Sequence, residues 1–139
     1  MKIIYPDDDG GVNVITPAPK WLAAGGSMEK LATKIVPKGK KYKIVEDSVV
    51  PSDRSFREAW ENYESITTNL TKAKELTKTR LREEREPLFA AQDILFMKAQ
   101  ESGSDTTAIV KEKNRLRDIT KQADSASELD ELKALSTDE

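Results

Sequence analysis

The longest helical pattern in the chain runs from about Thr71 to Ser102 and has a proline near its middle. Leu81, Leu88 and Leu95 recur at intervals of seven residues, which places them along one side of a helix. Pro87 has no backbone N–H to donate, so we expect the helix to kink there or to break into two. A leucine seam of this length needs another helix to pack against, and this requirement constrains the rest of the fold.

After Pro87 the chain enters its most apolar stretch, LFAAQDILFMKA. The large side chains of this stretch surround the helix on nearly all sides, so more than one neighbour is needed to bury them. Because 139 residues supply few such neighbours, we expect a stable protein partner. The residues expected at this partner interface are Leu81, Leu88, Phe89, Leu95 and Phe96.

Residues 1–51 predict a small β-rich module. Two β-branched runs, Lys2–Tyr5 and Val12–Thr16, flank the turn sequence PDDDGG and predict a β-hairpin. Ser27 is expected to cap a short helix, and the residues around Tyr42–Ile44 resemble a further strand. The apolar face of the short helix would consist of Met28, Leu31, Ala32 and Ile35.

Residues 52–69 predict an aromatic helix followed by a linker. Ser52 is a candidate N-cap, and the helically spaced apolar residues after it are Phe56, Ala59, Trp60 and Tyr63. Such a stripe serves either as core or as a protein-binding hot spot. In the second case Phe56 and Trp60 form a second interface patch.

Residues 70–139 predict a helical hairpin with a short C-terminal helix. Gly103 would end the long helix, and Ser104 or Asp105 would cap a second amphipathic helix antiparallel to the first. Asp93 on the first arm, and Arg117 and Asp118 on the second, are candidates for ion pairs across the hairpin. Ser125 and Glu128 have capping-box spacing ahead of the last helix. The chain is therefore expected to be an α+β protein.

The composition argues against an enzyme. The chain contains neither cysteine nor histidine, so the commonest general base and the commonest metal ligands are missing. We expect no catalytic residue, no cofactor and no metal site. No apolar run reaches the length of about 20 residues needed to span a membrane, and the first apolar residues are too few for a signal peptide. We therefore expect no membrane partner, and assembly in a cytosol.

A basic run provides an alternative of another class. Five basic residues lie between Lys72 and Arg82 against a single acid, Glu75. This run, with the lysines around Tyr42, would contact phosphates if the protein bound nucleic acid. However, the formal net charge is only -2, and the aromatic residues of a single-strand platform are absent from the run. A solvated or partner-directed face is the preferred interpretation.

The order of motifs resembles a group of small bacteriophage proteins encoded among tail genes. The stretches that carry the resemblance are MKIIYPDDDGGVNVITPAP, PSDRSFREAW, LREEREPLFAAQD, KNRLRDIT and LDELKAL. The second half also resembles phage tail-assembly chaperones, whose recurring positions are occupied here by Arg82, Arg85, Leu88, Asp93, Leu116, Arg117 and Asp118. The sequence departs from the chaperone pattern after Asp93, where the apolar Ile94–Met97 replaces a polar continuation.

The resemblance implies a role in building a phage tail. The leading expectation is a non-enzymatic tail-associated structural protein of the virion, present in the host cytoplasm during assembly. Its helical hairpin would bind other tail or tail-fibre proteins, or copies of itself. The alternative is a tail-assembly chaperone that uses the same surface transiently and is absent from the finished particle.

Overall fold

A computed structural model describes residues 1–138, and its elements follow the α+β order that the sequence predicts. Contacts divide the chain into unit 1, Met1–Asn69, and unit 2, which begins at Leu70. The division lies where the helical hairpin was expected to begin. Residues 52–69 belong to unit 1 together with residues 1–51.

Unit 1 contains two small antiparallel sheets. The three-stranded sheet has the order β2-β1-β3, with β1 at Lys2–Pro6, β2 at Val12–Ile15 and β3 at Lys43–Val45. Its helices are α1, Pro19–Ala23, and α2, Met28–Ile35. The two-stranded sheet pairs β4, Trp60–Glu61, with β5, Thr67–Thr68. Short 3-10 turns occupy Asp47–Val49 and Arg57–Ala59.

The predicted β-hairpin is confirmed, and its turn is held by an aspartate. The Asp7 carboxylate accepts hydrogen bonds from the backbone N–H groups of Asp9 at 2.9 Å and Gly11 at 2.6 Å. An aspartate that bonds backbone N–H groups two to four residues ahead is a typical organiser of a tight turn. The turn sets the register in which Ile3 faces Ile15 and Ile4 faces Val14.

Helix α2 begins as predicted, because the Ser27 hydroxyl accepts the N–H of Lys30 at 3.2 Å. Its buried residues pack against Ile3, and Trp21 lies against the same cluster. Gly26 passes so close to the Trp21 ring that a Cβ at this position would lie 2.3 Å from a ring carbon. Ile35, at the last position of the helix, remains exposed despite its expected place on the apolar face.

The expected aromatic helix over residues 52–63 is wrong. Phe56 precedes a 3-10 turn, Trp60 begins strand β4, and Asn62 has a positive φ of 58° that turns the chain toward β5. Trp60 is 1% exposed and packs with Ile4 and Val12 in a core that also contains Val50. Burial against the first hairpin has therefore overridden the local helical spacing.

Unit 2 is built on one long helix. Helix α3 spans Leu70–Ser102, followed by α4 at Thr107–Asp118, α5 at Lys121–Ser125 and α6 at Leu129–Ala134. All three shorter helices pack against α3. Gly103, with a φ of 68°, ends α3, and the Asp105 carboxylate accepts the N–H of Thr107 at the start of α4.

Helix α3 continues through Pro87 as one helix, so of the two outcomes expected at the proline the break into two helices does not occur. One local expectation in unit 2 is wrong. The cap before α6 lies two residues later than expected: the Glu131 carboxylate accepts the N–H of Ser127 at 2.8 Å and its hydroxyl at 3.1 Å. Ser127 and Glu131 are spaced i, i+4, whereas the predicted capping box has the spacing i, i+3.

Candidate functional site

Arg85 joins the two arms of the helical hairpin. Its guanidinium donates to the backbone carbonyls of Leu116 at 3.0 Å and Arg117 at 3.1 Å, near the C-terminal end of α4. The cation also lies 5.5 Å from the centre of the Phe89 ring. Leu116 itself is fully buried. Arg85 therefore links α3 to the end of α4 within unit 2.

The ion pairs across the hairpin differ from the expected ones. Asp93 pairs with Lys113 at 2.5 Å, because the two residues lie at the same level of α3 and α4. Arg117 instead donates to the side chain of Asn114 on its own helix. Asp118 pairs with Lys121, also by a local contact.

The C-terminal helices cover the first half of the α3 seam. Ala73, Thr77 and Leu81 are buried on α3, and Ala123 and Leu132 are buried on α5 and α6. The cover is attached by basic side chains that bond backbone carbonyls near helix ends. These bonds join Lys74 to Asp124, Arg80 to Leu132 and Leu135, and Arg115 to Thr137. Positive charge near the C-terminal end of a helix is favourable because the last carbonyls there lack intrahelical partners.

Part of the basic run is thus engaged within unit 2. Besides Lys74 and Arg80, Lys78 contacts the carboxylates of Asp124 and Glu75. These two hydrogen bonds raise the pKa of the Lys78 ammonium above its ordinary value. The run therefore serves intramolecular contacts, which reduces the charge it can present to a phosphate backbone.

Beyond Glu84 the same side of α3 is uncovered, and its residues form what we term the distal face. The face consists of Pro87, Leu88, Ala91, Ile94 and Leu95, with Glu84 at its N-terminal end and Lys98 at its C-terminal end. At roughly 100° per residue, all seven lie within about 60° of the direction of Ala91. Ile94 is 50% exposed, Leu95 48% and Leu88 37%. A contiguous apolar surface of this kind is typical of a protein interaction site.

The structure separates the seven predicted interface residues into three groups. Leu88 and Leu95 lie on the distal face. Phe89 and Phe96 are half-buried, with the cations of Arg85 and Lys113 over their rings, so they belong to the hairpin contact. Leu81, Phe56 and Trp60 are buried inside their units, where a partner does not reach them.

The prediction that Phe56 and Trp60 form a second interface patch is therefore wrong, and so is the prediction that Leu81 lies at the partner interface. Leu81 is covered by the chain's own C-terminal helices, and Phe56 and Trp60 belong to the unit 1 core. Conversely, the predicted interface omitted Ala91, Ile94 and the charges at Glu84 and Lys98. Ile94, Glu84 and Lys98 share one signal in the sequence, because each stands three or seven residues from Ala91.

Electrostatic contacts at the surface of unit 2 are short-range. The hydrogen bond from Arg115 holds the pKa of the Glu112 carboxyl below its ordinary value. Hydrogen bonds from the side chain and backbone of Thr107 lower the pKa of Asp105. Backbone and side-chain bonds from Ser127 do the same for Glu131. Each of these three carboxylates stabilises local structure at a helix, at an N-terminus in the case of Asp105 and Glu131.

Unit 1 contains an open polar cleft next to its hairpin turn. Asp7, Asn13, Arg57, Glu58 and Trp60 are among the residues that line it. The Asp7 carboxylate is already used by the turn. Within residues 1–138, no cluster of three or more His, Cys, Asp or Glu side chains has an arrangement suited to a metal ion.

No protein-family model, no curated protein and no solved structure matches the chain. Over the part of the chain that the structure describes, no helix combines the length and the apolar character required to cross a membrane. The distal face is therefore the candidate functional site, on the basis of its geometry alone.

Proposed function

We propose that this chain is a non-enzymatic bacteriophage tail-associated structural protein. Its distal face packs against a helix of another tail or tail-fibre protein, or of a second copy, and unit 1 orients the chain in the assembly. The motif resemblance supports the phage assignment. The observation that carries the binding role is the exposure of Leu88, Ile94 and Leu95 together on one side of α3.

The arrangement of unit 2 supports a structural role for the hairpin. Arg85, Arg80 and Lys74 fix α4, α5 and α6 onto α3 through backbone carbonyls, so the distal face is presented on a supported helix. A face on a rigid element loses less conformational entropy on binding than a mobile segment does. We therefore expect an interaction whose specificity depends on a small number of side chains.

Mass spectrometry of purified particles of the encoding phage tests the assignment. Several copies per particle, scaled to a capsid protein, are the expected result. Absence from particles together with abundance in infected-cell lysate would contradict a virion role and favour the assembly-chaperone alternative. Absence from both would remove the tail assignment altogether.

The variant Leu88→Asp tests the distal face. Because a carboxylate at the centre of an apolar contact is desolvated without a partner, we expect incorporation into particles to fall at least tenfold. Ala90→Asp is the matched control, since Ala90 is exposed on another side of α3. Circular dichroism should show both variants folded, and equal incorporation of the two would contradict the role of the distal face.

A further inference from the structure

We infer that the partner of the distal face is a second copy of this chain, docked antiparallel across a two-fold axis at Ala91. The inference deepens the proposed function and rests on it only for the biological setting. What carries it is the arrangement of the seven residues of the distal face around Ala91. Apolar residues stand three and four positions away on both sides, and opposite charges stand seven positions away.

A two-fold axis that runs perpendicular to the helix at Ala91 makes the two helices antiparallel. Residues before Ala91 in one copy then face residues at a similar distance after Ala91 in the other. Leu88 of one copy then faces Leu95 of the other, and Pro87 faces Ile94. All four of these side chains are exposed in the single chain. A face that is complementary to itself under such an axis is what an isologous dimer requires.

The charges at the two ends favour the antiparallel orientation. Under the same axis Glu84 of one copy meets Lys98 of the other, and each pair occurs twice. A parallel dimer would instead bring Glu84 to Glu84 and Lys98 to Lys98. Since like charges in contact are unfavourable and opposite charges favourable, the ends of the face select the antiparallel pairing.

The side chains at the ends are suited to this role. Lys98 is exposed and makes no side-chain hydrogen bond or ion pair that the structure describes for residues 1–138. Glu84 is held by Arg80 at 2.8 Å, one turn earlier on α3, which fixes its carboxylate beside the face. A second cation from the other copy would therefore meet a carboxylate that is already positioned.

The centre of the face allows the two helices to approach closely. Ala91 is exposed and carries only a methyl group, so two copies can cross at this residue with the flanking leucines and Ile94 interdigitating around it. The distance along the helix from Glu84 to Lys98 is about 21 Å. Because such an interface is small, we expect a dissociation constant on the order of micromolar.

The interface also continues one that the chain already forms. On the first half of α3, the same side of the helix is covered by α5 and α6. This cover ends before Leu88, so a second copy of α3 would continue the burial along the helix. The first half of the seam would then pack against helices of the same chain, and the second half against the other copy.

Sedimentation equilibrium of the purified full-length chain is the first test. At about 200 μM we expect a mass of twice 15.6 kDa, falling toward 15.6 kDa on dilution to the low micromolar range. A monomer throughout this range would overturn the inference. If Leu88→Asp also lost incorporation into particles, the distal face would then bind a different protein, and the proposed function would stand without self-association.

A cysteine at the two-fold axis tests the docking geometry. The chain has no native cysteine, so the single-cysteine variant Ala91→Cys can form only a symmetric disulfide between copies. We expect it to cross-link efficiently under mild oxidation, because the two Cβ atoms at the axis lie within disulfide reach. Ala90→Cys, about 100° around the helix, is the matched control and should not form the disulfide between copies. Equal cross-linking of the two variants would overturn the inference.

Charge exchange tests the orientation. Lys98→Glu places two carboxylates together at each end of the face, so we expect dimerisation to weaken at least tenfold. The double variant Glu84→Lys with Lys98→Glu restores opposite charges in an antiparallel dimer and should regain part of the affinity that Lys98→Glu loses, although it also removes the Arg80–Glu84 pair. Lys111→Glu on α4 is the control for net charge and should leave affinity unchanged. Failure of the double variant to recover, with the chain folded by circular dichroism, would contradict antiparallel docking.

Discussion

Arg85 joins the two arms of the hairpin through backbone carbonyls. Its guanidinium donates two hydrogen bonds to backbone carbonyls near the C-terminal end of α4. The last carbonyls of a helix lack an N–H donor within the helix, so they are available to such a side chain. A guanidinium supplies several donors in a fixed plane, and a lysine at this position would reach the two carbonyls less well. The contact thus links a motif position in α3 directly to the stability of α4.

We expect Arg85→Met to destabilise unit 2 by about 1–3 kcal/mol, because it removes charge-assisted hydrogen bonds while keeping part of the apolar stem. Urea unfolding followed by circular dichroism measures the change in the free energy of unfolding. Arg82→Met is the control, since Arg82 is exposed on the same helix. Equal effects of the two substitutions would show that the Arg85 contact adds nothing to stability.

Asp105 should make unit 2 sensitive to acid. Its pKa is lowered in the folded chain by Thr107, so its contribution to stability is present above the unfolded pKa of about 3.9 and is lost as the pH falls through the folded value. We expect Asp105→Asn to flatten the decrease in melting temperature below about pH 4. Glu101→Gln, at an exposed position near the end of α3, is the control for loss of one surface carboxylate.

At the scale of elements, the turns and helix ends that depend on neighbouring residues were predicted correctly. The Asp7 turn, the Ser27 cap and the Gly103 terminus each depend on residues a few positions apart, and all three appear in the structure. The helix expected over residues 52–63 fails because Trp60 is placed by a distant contact with Ile4 and Val12. An apolar repeat every three or four residues is equally compatible with a folded loop when it is this short.

The leucine seam shows the same limit on a longer element. The seven-residue spacing correctly placed Leu81, Leu88 and Leu95 along one side of α3. The spacing carries no information about which neighbour covers each leucine. Coverage depends on where α5 and α6 end, and this is a property of tertiary packing. The distal face could therefore be found only after the internal cover was known.

Replacing Trp60 tests the assignment of the second aromatic patch to the core. We expect Trp60→Ala to lower the free energy of unfolding of unit 1 by about 3–5 kcal/mol, because it removes a large buried side chain and leaves a cavity. Tyr42→Ala, at a 40% exposed aromatic position in the same unit, is the control. Fluorescence of the remaining Trp21 during denaturant unfolding provides the readout. A stable Trp60→Ala variant with reduced partner binding would return Trp60 to the interface.

At the scale of the whole molecule, each unit buries its own side chains. Both tryptophans lie in unit 1, while most of the helical residues lie in unit 2. Tryptophan fluorescence and far-UV circular dichroism therefore report mainly on different units of the same chain. This division makes it possible to measure how cooperatively the two units unfold.

We expect Leu116→Ala to lower the unfolding midpoint seen by circular dichroism, at a cost of about 2–5 kcal/mol, because Leu116 is fully buried in unit 2. The midpoint seen by tryptophan fluorescence should change much less. Val110→Ala is the control, since Val110 is 40% exposed on the same helix. A parallel shift of both midpoints would show that the chain unfolds as a single cooperative unit.

The Arg85 contact also bears on how genetic data from this chain would be interpreted. In a saturation screen scored by the proposed role in infectivity, we expect substitutions at Arg85 and Leu116 to be as damaging as those at Leu88, although the first two support the fold and only Leu88 lies on the distal face. Temperature would separate the two classes. Growth in the cold should rescue alleles that weaken folding and leave alleles of the distal face defective, so a map of essential positions here is not a map of the binding surface.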